Sequence, residues 1–120
     1  MVIIQQHGPD GQLFDFNVFL SDIKQLRELE FWQFKIEWCL GDRADEIEGL
    51  SHAGAITMQA DKFISLYKKI YQTVDGEFIG FKNGKEWCRM LAVDSSYWEI
   101  TGSEGFENRM LEIYGAYKPS

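Results

Sequence analysis

The chain predicts an α+β domain, residues 1–120 in one unit, built as an antiparallel sheet with a three-stranded C-terminal meander over 77–101 and two to three helices packed on one face. Three observations carry this. Residues 77–101 hold three strand-like runs joined by Asn83-Gly84 and by Asp94-Ser95-Ser96, connections too short for the crossovers of a parallel sheet. In 31–40, Trp32, Phe34, Ile36, Trp38 and Leu40 alternate with Gln33, Lys35, Glu37 and Cys39, the period of a half-buried strand. In 60–73 the apolar residues Phe63, Leu66, Tyr67 and Ile70, continued by Val74, repeat with the spacing of one helix face.

From the N-terminus, 2–6 and 12–20 read as a hairpin around Gly8-Pro9-Asp10-Gly11, because Pro, Asp and Gly suit successive turn positions. Its second strand would put Phe14, Phe16, Val18 and Leu20 on one face. Ser21 or Asp22 would then cap a short helix carrying Ile23, Leu26 and Leu29 inward. After the 31–40 strand, Gly41 stops the run and 42–49 forms an acidic loop with four carboxylates in seven residues. Residues 55–58 make a short strand. Asp75-Gly76 ends the 60–73 helix and leads into the meander.

Asn-Gly accepts the two positive φ values of a type I′ turn, so the register of the first meander hairpin is predictable. Lys82 faces Lys85, Phe81 faces Glu86, Gly80 faces Trp87 and Ile79 faces Cys88. That register puts Ile79, Phe81, Cys88, Met90 and Ala92 on one face, with Phe78, Trp87, Leu91 and Val93 on the other, and lays the Trp87 ring over Gly80. A third strand follows at 97–101. Ser103 caps a last helix over 104–114 with Phe106, Met110, Ile113 and Tyr114 inward, closed by Gly115 and Pro119.

Composition narrows the function. No run of about 18 apolar residues marks a membrane span, and the N-terminus lacks the pattern of a secretory signal, so a cytoplasmic protein is expected. Two cysteines, Cys39 and Cys88, are read as free buried thiols. The net charge of −7 falls wholly in residues 1–61, with eleven acids against four bases, while the rest of the chain balances. Direct nucleic-acid binding calls for a basic footprint, whereas the acidic half suits a basic protein partner.

Catalytic groupings are scarce. His7 lies in a turn, and the neighbours Ser51 and His52 do not make a triad, which needs groups converging from separate elements. The spacing of Asp42, Asp45, Glu46 and Glu48 lacks the ligand pattern of an EF-hand loop. Gly76, Gly80 and Gly84 open no helix that would cradle phosphate. No metal, cofactor or enzymatic activity is expected. The residues proposed to meet a partner are Asp42, Asp45, Glu46 and Glu48, with Glu28 and Glu30 beside them.

Two stretches, Tyr71-Gln72-Thr73-Val74-Asp75-Gly76-Glu77-Phe78-Ile79-Gly80 and Asp94-Ser95-Ser96-Tyr97-Trp98-Glu99, together with size and acidity, give a chain that resembles the immunity proteins of bacterial contact-dependent growth inhibition and other polymorphic toxin systems. The resemblance implies a cytosolic, non-enzymatic protein that binds its cognate toxin domain, often a basic nuclease, and blocks the active site or a nearby surface. Those proteins share no universal motif, so the resemblance transfers no functional residue. The alternative from composition is a small ligand-binding or enzymatic domain with a pocket between sheet and helices, lined by Phe34, Trp38, Tyr67 and Trp98. A third is an adaptor or dimer subunit that uses an uncovered strand edge.

Overall fold

The computed structural model describes residues 1–119. Strands β1 (Val2–Gln5), β2 (Phe31–Gly41), β3 (Ile56–Gln59), β4 (Ile70–Lys82), β5 (Lys85–Val93) and β6 (Tyr97–Gly102) form one antiparallel sheet in the order β1-β6-β5-β4-β2-β3. Among the described residues four helices accompany it, α1 (Phe16–Leu26), α2 (Ala44–Leu50), α3 (Ala60–Tyr67) and α4 (Glu104–Ile113). The α+β class and the C-terminal meander follow the sequence expectation, while the helices number four rather than two to three.

Strand register lines up apolar residues in rows that cross the whole sheet. Ile56, Phe34, Phe78, Met90, Ile100 and Val2 are successive partners, and Ile36, Gly76, Ala92, Trp98 and Ile4 make the next row. A third row holds Met58, Trp32, Gly80, Cys88 and Gly102. Side chains from the helices close over this floor. Phe16 of α1 stacks on Phe78 with ring centres 4.4 Å apart and meets Trp32 edge-on at 4.9 Å. Phe63 of α3 stacks on Phe34 at 4.6 Å, and Phe106 of α4 lies against Trp87 at 5.2 Å. Each such pair contributes about 0.5–1.5 kcal/mol beyond the burial of its rings.

The Asn83-Gly84 turn forms as expected, with φ of 53° and 73°. Lys82 faces Lys85 and Phe81 faces Glu86, but a bulge then places Gly80 opposite Cys88 and Ile79 opposite Arg89. One extra residue on β5 shifts the pleat, so Phe78, rather than Ile79 and Phe81, joins the face of Cys88, Met90 and Ala92. Trp87 is displaced toward Phe106 of α4 instead of lying over Gly80. The space above Gly80 is filled by Trp32 and Leu29, whose nearest atoms would lie 3.2 and 2.5 Å from an added Cβ.

The predicted second strand at 12–20 is replaced by a helix. The turn at 8–12 does form, with Gly8 N–H donating to the Gln12 carbonyl at 2.8 Å and a short bridge between His7 and Leu13. From Phe16 onward, Phe16, Phe19, Leu20 and Ile23 occupy i, i+3, i+4 and i+7, all buried, while Val18 is exposed. The strand reading would bury Val18 and expose Phe19. The helix buries the larger ring, and one large apolar side chain is worth about 1.5–3 kcal/mol. Ser21 and Asp22 therefore sit inside α1, the helix starts after Asp15, and Leu26, expected inward, is exposed.

Two further corrections follow from tertiary pairing. The helix expected over 60–73 ends at Tyr67, and Ile70 and Val74 lie in β4, which runs through Asp75 and Gly76 without a stop. Asn17 of α1 assists that ending, donating its amide to the carbonyls of Tyr67 and Ile70 at 3.0 and 2.8 Å. β2 holds its alternation only to Ile36. Register shifts on either side of Trp38 turn Cys39 inward and leave Glu37 and Trp38 outside. α4 starts as predicted, with the Ser103 hydroxyl accepting from Phe106 N–H, and Gly115 follows with φ of 63°, but Ile113 is exposed.

Replacing Gly80 with alanine should test the packing of the third row. The new methyl would crowd Leu29, Cys88 and Trp32, and overpacking of this kind costs about 1–3 kcal/mol. Chemical denaturation should show that loss, whereas an unchanged midpoint would mean that Leu29 and Trp32 do not hold this space.

Candidate partner-binding surface

β2 is 11 residues long, yet β3 pairs only with its first four, 31–34. The remaining edge of β2 needs other partners for its backbone, and α2 supplies them. The Ser51 hydroxyl accepts from Ile36 N–H at 2.9 Å, and Glu48 accepts from Cys39 N–H at 3.0 Å. Ile47 is the buried apolar anchor of α2. Gly41, at φ 137°, brings the end of β2 against the Lys69 backbone, where an added Cβ would stand 2.3 Å from the Lys69 carbonyl. Arg43 then adopts a left-handed φ of 68° and turns the chain into α2. The acidic segment is therefore a helix tied to the sheet, not the loop that its lack of periodicity suggested.

This mounting divides the four carboxylates of 42–48. Glu48 is half-buried and committed to the β2 backbone. Glu46 is exposed and pairs with Arg43 at 2.6 Å. Asp42 and Asp45 are exposed and form no ion pair among the described residues. Asp45 borders a depression of about 450 Å³ that it shares with Lys35, Glu37, Glu48 and His52. Lys35 pairs with Glu37 at 3.7 Å there and donates to the Ser51 carbonyl.

Glu28 and Glu30 do not adjoin this group. They precede the start of β2, whereas Asp42 follows its end, about 35 Å further along the strand. Glu30 accepts from Asn83 N–H at 2.5 Å and steadies the β4–β5 turn. Glu28 is exposed and shares a depression of about 520 Å³ with Glu30, Asp61 and Lys82. The nominated carboxylates thus form two groups at opposite ends of the β2–β3 side of the sheet.

The sheet end next to Asp42 carries the two most exposed large aromatics of the described chain, Trp38 at 54% and Tyr71 at 60%. Trp38 pairs with Asp75 in the β2–β4 ladder, and Tyr71 lies two rungs on, where Leu40 meets Gln72 and Gly41 meets Ile70. Alternation alone assigned Trp38 to the core, and only the bulges expose it. Of the other expected pocket residues, Phe34, Tyr67 and Trp98 are fully buried in ring-to-ring contacts. They pack against one another in the core, and the depression of about 380 Å³ between α1, α3 and β2 is lined instead by Leu20, Ile23, Trp32, Ala60 and Ile64 with charged residues at its rim.

A buried polar joint escaped sequence reading. Asp15, only 2% exposed, accepts from Thr73 N–H through Oδ1 at 2.7 Å, while its Oδ2 has no hydrogen-bond partner among the described residues. Tyr67 bonds the Thr73 hydroxyl, and Gln6 donates to the Thr73 carbonyl at 3.0 Å. Burial pushes the Asp15 carboxyl up to about 6, against the lowering effect of its bonds to Thr73. Both thiols are free and buried, as expected, and burial pushes each up to about 12, so neither is a ready thiolate at neutral pH. Among the described residues no helix is long and apolar enough to cross a membrane, and no three His, Cys, Asp or Glu side chains are placed to hold a metal ion.

No family model, no curated protein and no solved structure matches the chain.

The Asp15 joint makes a stability prediction with a definite sign. A carboxyl with a folded value near 6 and an unfolded value near 4 favours the folded state below about pH 4, and that contribution is lost as pH rises through 6. The difference is about 3 kcal/mol. Asp15→Asn, which keeps the acceptor for Thr73, should match the parent near pH 4 and exceed it by about 2–3 kcal/mol at pH 8 in urea unfolding. Parallel pH profiles would show that Asp15 is ionised at no cost.

Proposed function

We propose that this protein is a cytoplasmic binding protein that neutralises a basic toxin domain, in the manner of the immunity proteins it resembles. The observation that carries the reading is the pair Asp42 and Asp45, exposed, without ion pairs among the described residues, and mounted on a turn and helix that the Ser51 and Glu48 side chains hold to the β2 backbone. A fixed negative surface attracts a cationic one and orients it during encounter, which raises association rates more than it lengthens lifetimes. Lifetime comes from desolvated anchors near the centre of an interface, where tryptophan and tyrosine are enriched. Trp38, beside the end of β2, is an exposed aromatic suited to that role. The protein itself transforms no substrate and uses no cofactor; it acts by covering a surface of its partner.

The reading expects a large toxin gene directly upstream, and the C-terminal domain it encodes is the partner to test. Co-expression should protect cells from that domain, and the two proteins should copurify. Reversing both charges, Asp42→Lys with Asp45→Lys, should slow association on the order of tenfold at low salt and flatten its salt dependence. Association kinetics by surface plasmon resonance measure both effects, and an unchanged on-rate would remove these carboxylates from the interface.

A further inference from the structure

β4 is 13 residues long, yet β5 pairs only with 76–82. The Val74 carbonyl accepts from Ser95 N–H at 2.9 Å, and among the described residues 70–73 has a strand on the β2 side alone. Side chains from the chain before α1 and from its first turn stand where the missing neighbour would. Thr73 donates its N–H to Asp15 Oδ1 at 2.7 Å, and its carbonyl accepts from the Gln6 amide at 3.0 Å. Asn17 donates to the carbonyls of Tyr67 and Ile70. Of these three side chains only Asp15 can change its charge. Its Oδ2 lacks a partner among the described residues, at a position only 2% exposed. A carboxylate so placed is withheld from water, at a cost the neutral acid carries far less of.

We propose that 70–73 is a proton-controlled latch, docked on the start of α1 while Asp15 carries a proton, and opening transiently, with the rest of the sheet intact, once Asp15 ionises. Opening breaks the Thr73 bond and lets water reach Oδ2. The titratable groups facing Asp15 are Tyr67 of α3 and Cys39 of β2, with Glu48 of α2 bonded to the Cys39 backbone. Burial holds the Tyr67 phenol and the Cys39 thiol neutral. Glu48 is a further acid, and no cation pairs with Asp15 among the described residues. Nothing charged there offsets a carboxylate. The closed form holds the Asp15 carboxyl at about 6, whereas the open form returns it to the ordinary range near 4. Opening is therefore rarest below about pH 4, grows between 4 and 6, and levels off above. Tyr71, 60% exposed, lies on the same stretch and moves with it. The latch belongs to the free protein and does not rest on the partner reading.

Amide exchange of the full chain, followed by NMR from pH 5 to 8 and corrected for the base catalysis of exchange itself, tests the latch. Thr73 should exchange faster than the core amides of Phe78 and Met90 throughout, by a route insensitive to low denaturant. Its opening constant should rise about tenfold across that range. In Asp15→Asn the rise should vanish. The parent protein alone supplies a second measurement, the carbon-13 titration of the Asp15 carboxyl, which should have its midpoint near 6 and track the Thr73 amide signal. A Thr73 opening constant that does not change with pH, or a carboxyl that titrates near 4, would overturn the latch. Exchange of Thr73 in step with Phe78 and Met90 would also overturn it, since 70–73 would then leave α1 only when the whole chain unfolds.

Discussion

The structure depends on one constraint, the phase of the pleat across six strands. An apolar floor that runs from Ile56 through Phe34, Phe78, Met90 and Ile100 to Val2 exists only if every strand turns the correct residues to the same side. A shift of one residue in any strand would send its whole apolar set to the opposite face. The Asn83-Gly84 turn sets the phase of β5 against β4, and the bulge that follows resets it, so that Phe78 and Met90 meet under Phe16. The bulged Trp87 is then absorbed by Phe106 of α4. Helix packing and strand register thus fix one another.

The same logic operates at the far end of β2 with an opposite surface result. There the core accepts Ile36 and Cys39, three apart, which leaves two intervening residues outside. Trp38 is exposed by that geometry. Thr73, opposite Cys39, is the meeting point of Gln6, Asp15 and Tyr67, which ties the chain before α1, the start of α1 and the end of α3 to β4. Polar groups do the joining because the β2–β4 register shifts here, and irregular backbone leaves donors and acceptors that need partners. The carboxyl of Asp15 is the member with an unmet oxygen.

The proposed interface follows from how the β2 edge is finished. β3 is too short to cover it, and the chain between them completes the covering with a helix, whose bonds to β2 come from Ser51 and Glu48 and whose buried side chain is Ile47. Only some of the acids in that helix are spent on the covering. Those that remain project from a support whose bonds to β2 are already made in the free protein, and preorganisation of that kind lowers the ordering cost of an association.

Much was determined by local sequence. The Asn-Gly turn, the 31–36 alternation, the Ser103 cap and the apolar spacing of 60–67 each specify structure through contacts among near neighbours, and all four appear in the fold. The acidity of the first half was equally plain from composition. Tertiary structure alone decided the rest. The run 12–20 fits both periods, and the sheet selected the helix, which sets Phe16 over Phe78 and Trp32 and Phe19 against Trp98. Residues 70–76 continue a helical pattern but gain a paired strand beside β2. The division of Asp42, Asp45, Glu46 and Glu48 into free and committed carboxylates was likewise invisible, because Glu48 reaches Cys39 N–H only once α2 is laid against β2, and Glu46 meets Arg43 only once 44–50 is a helix.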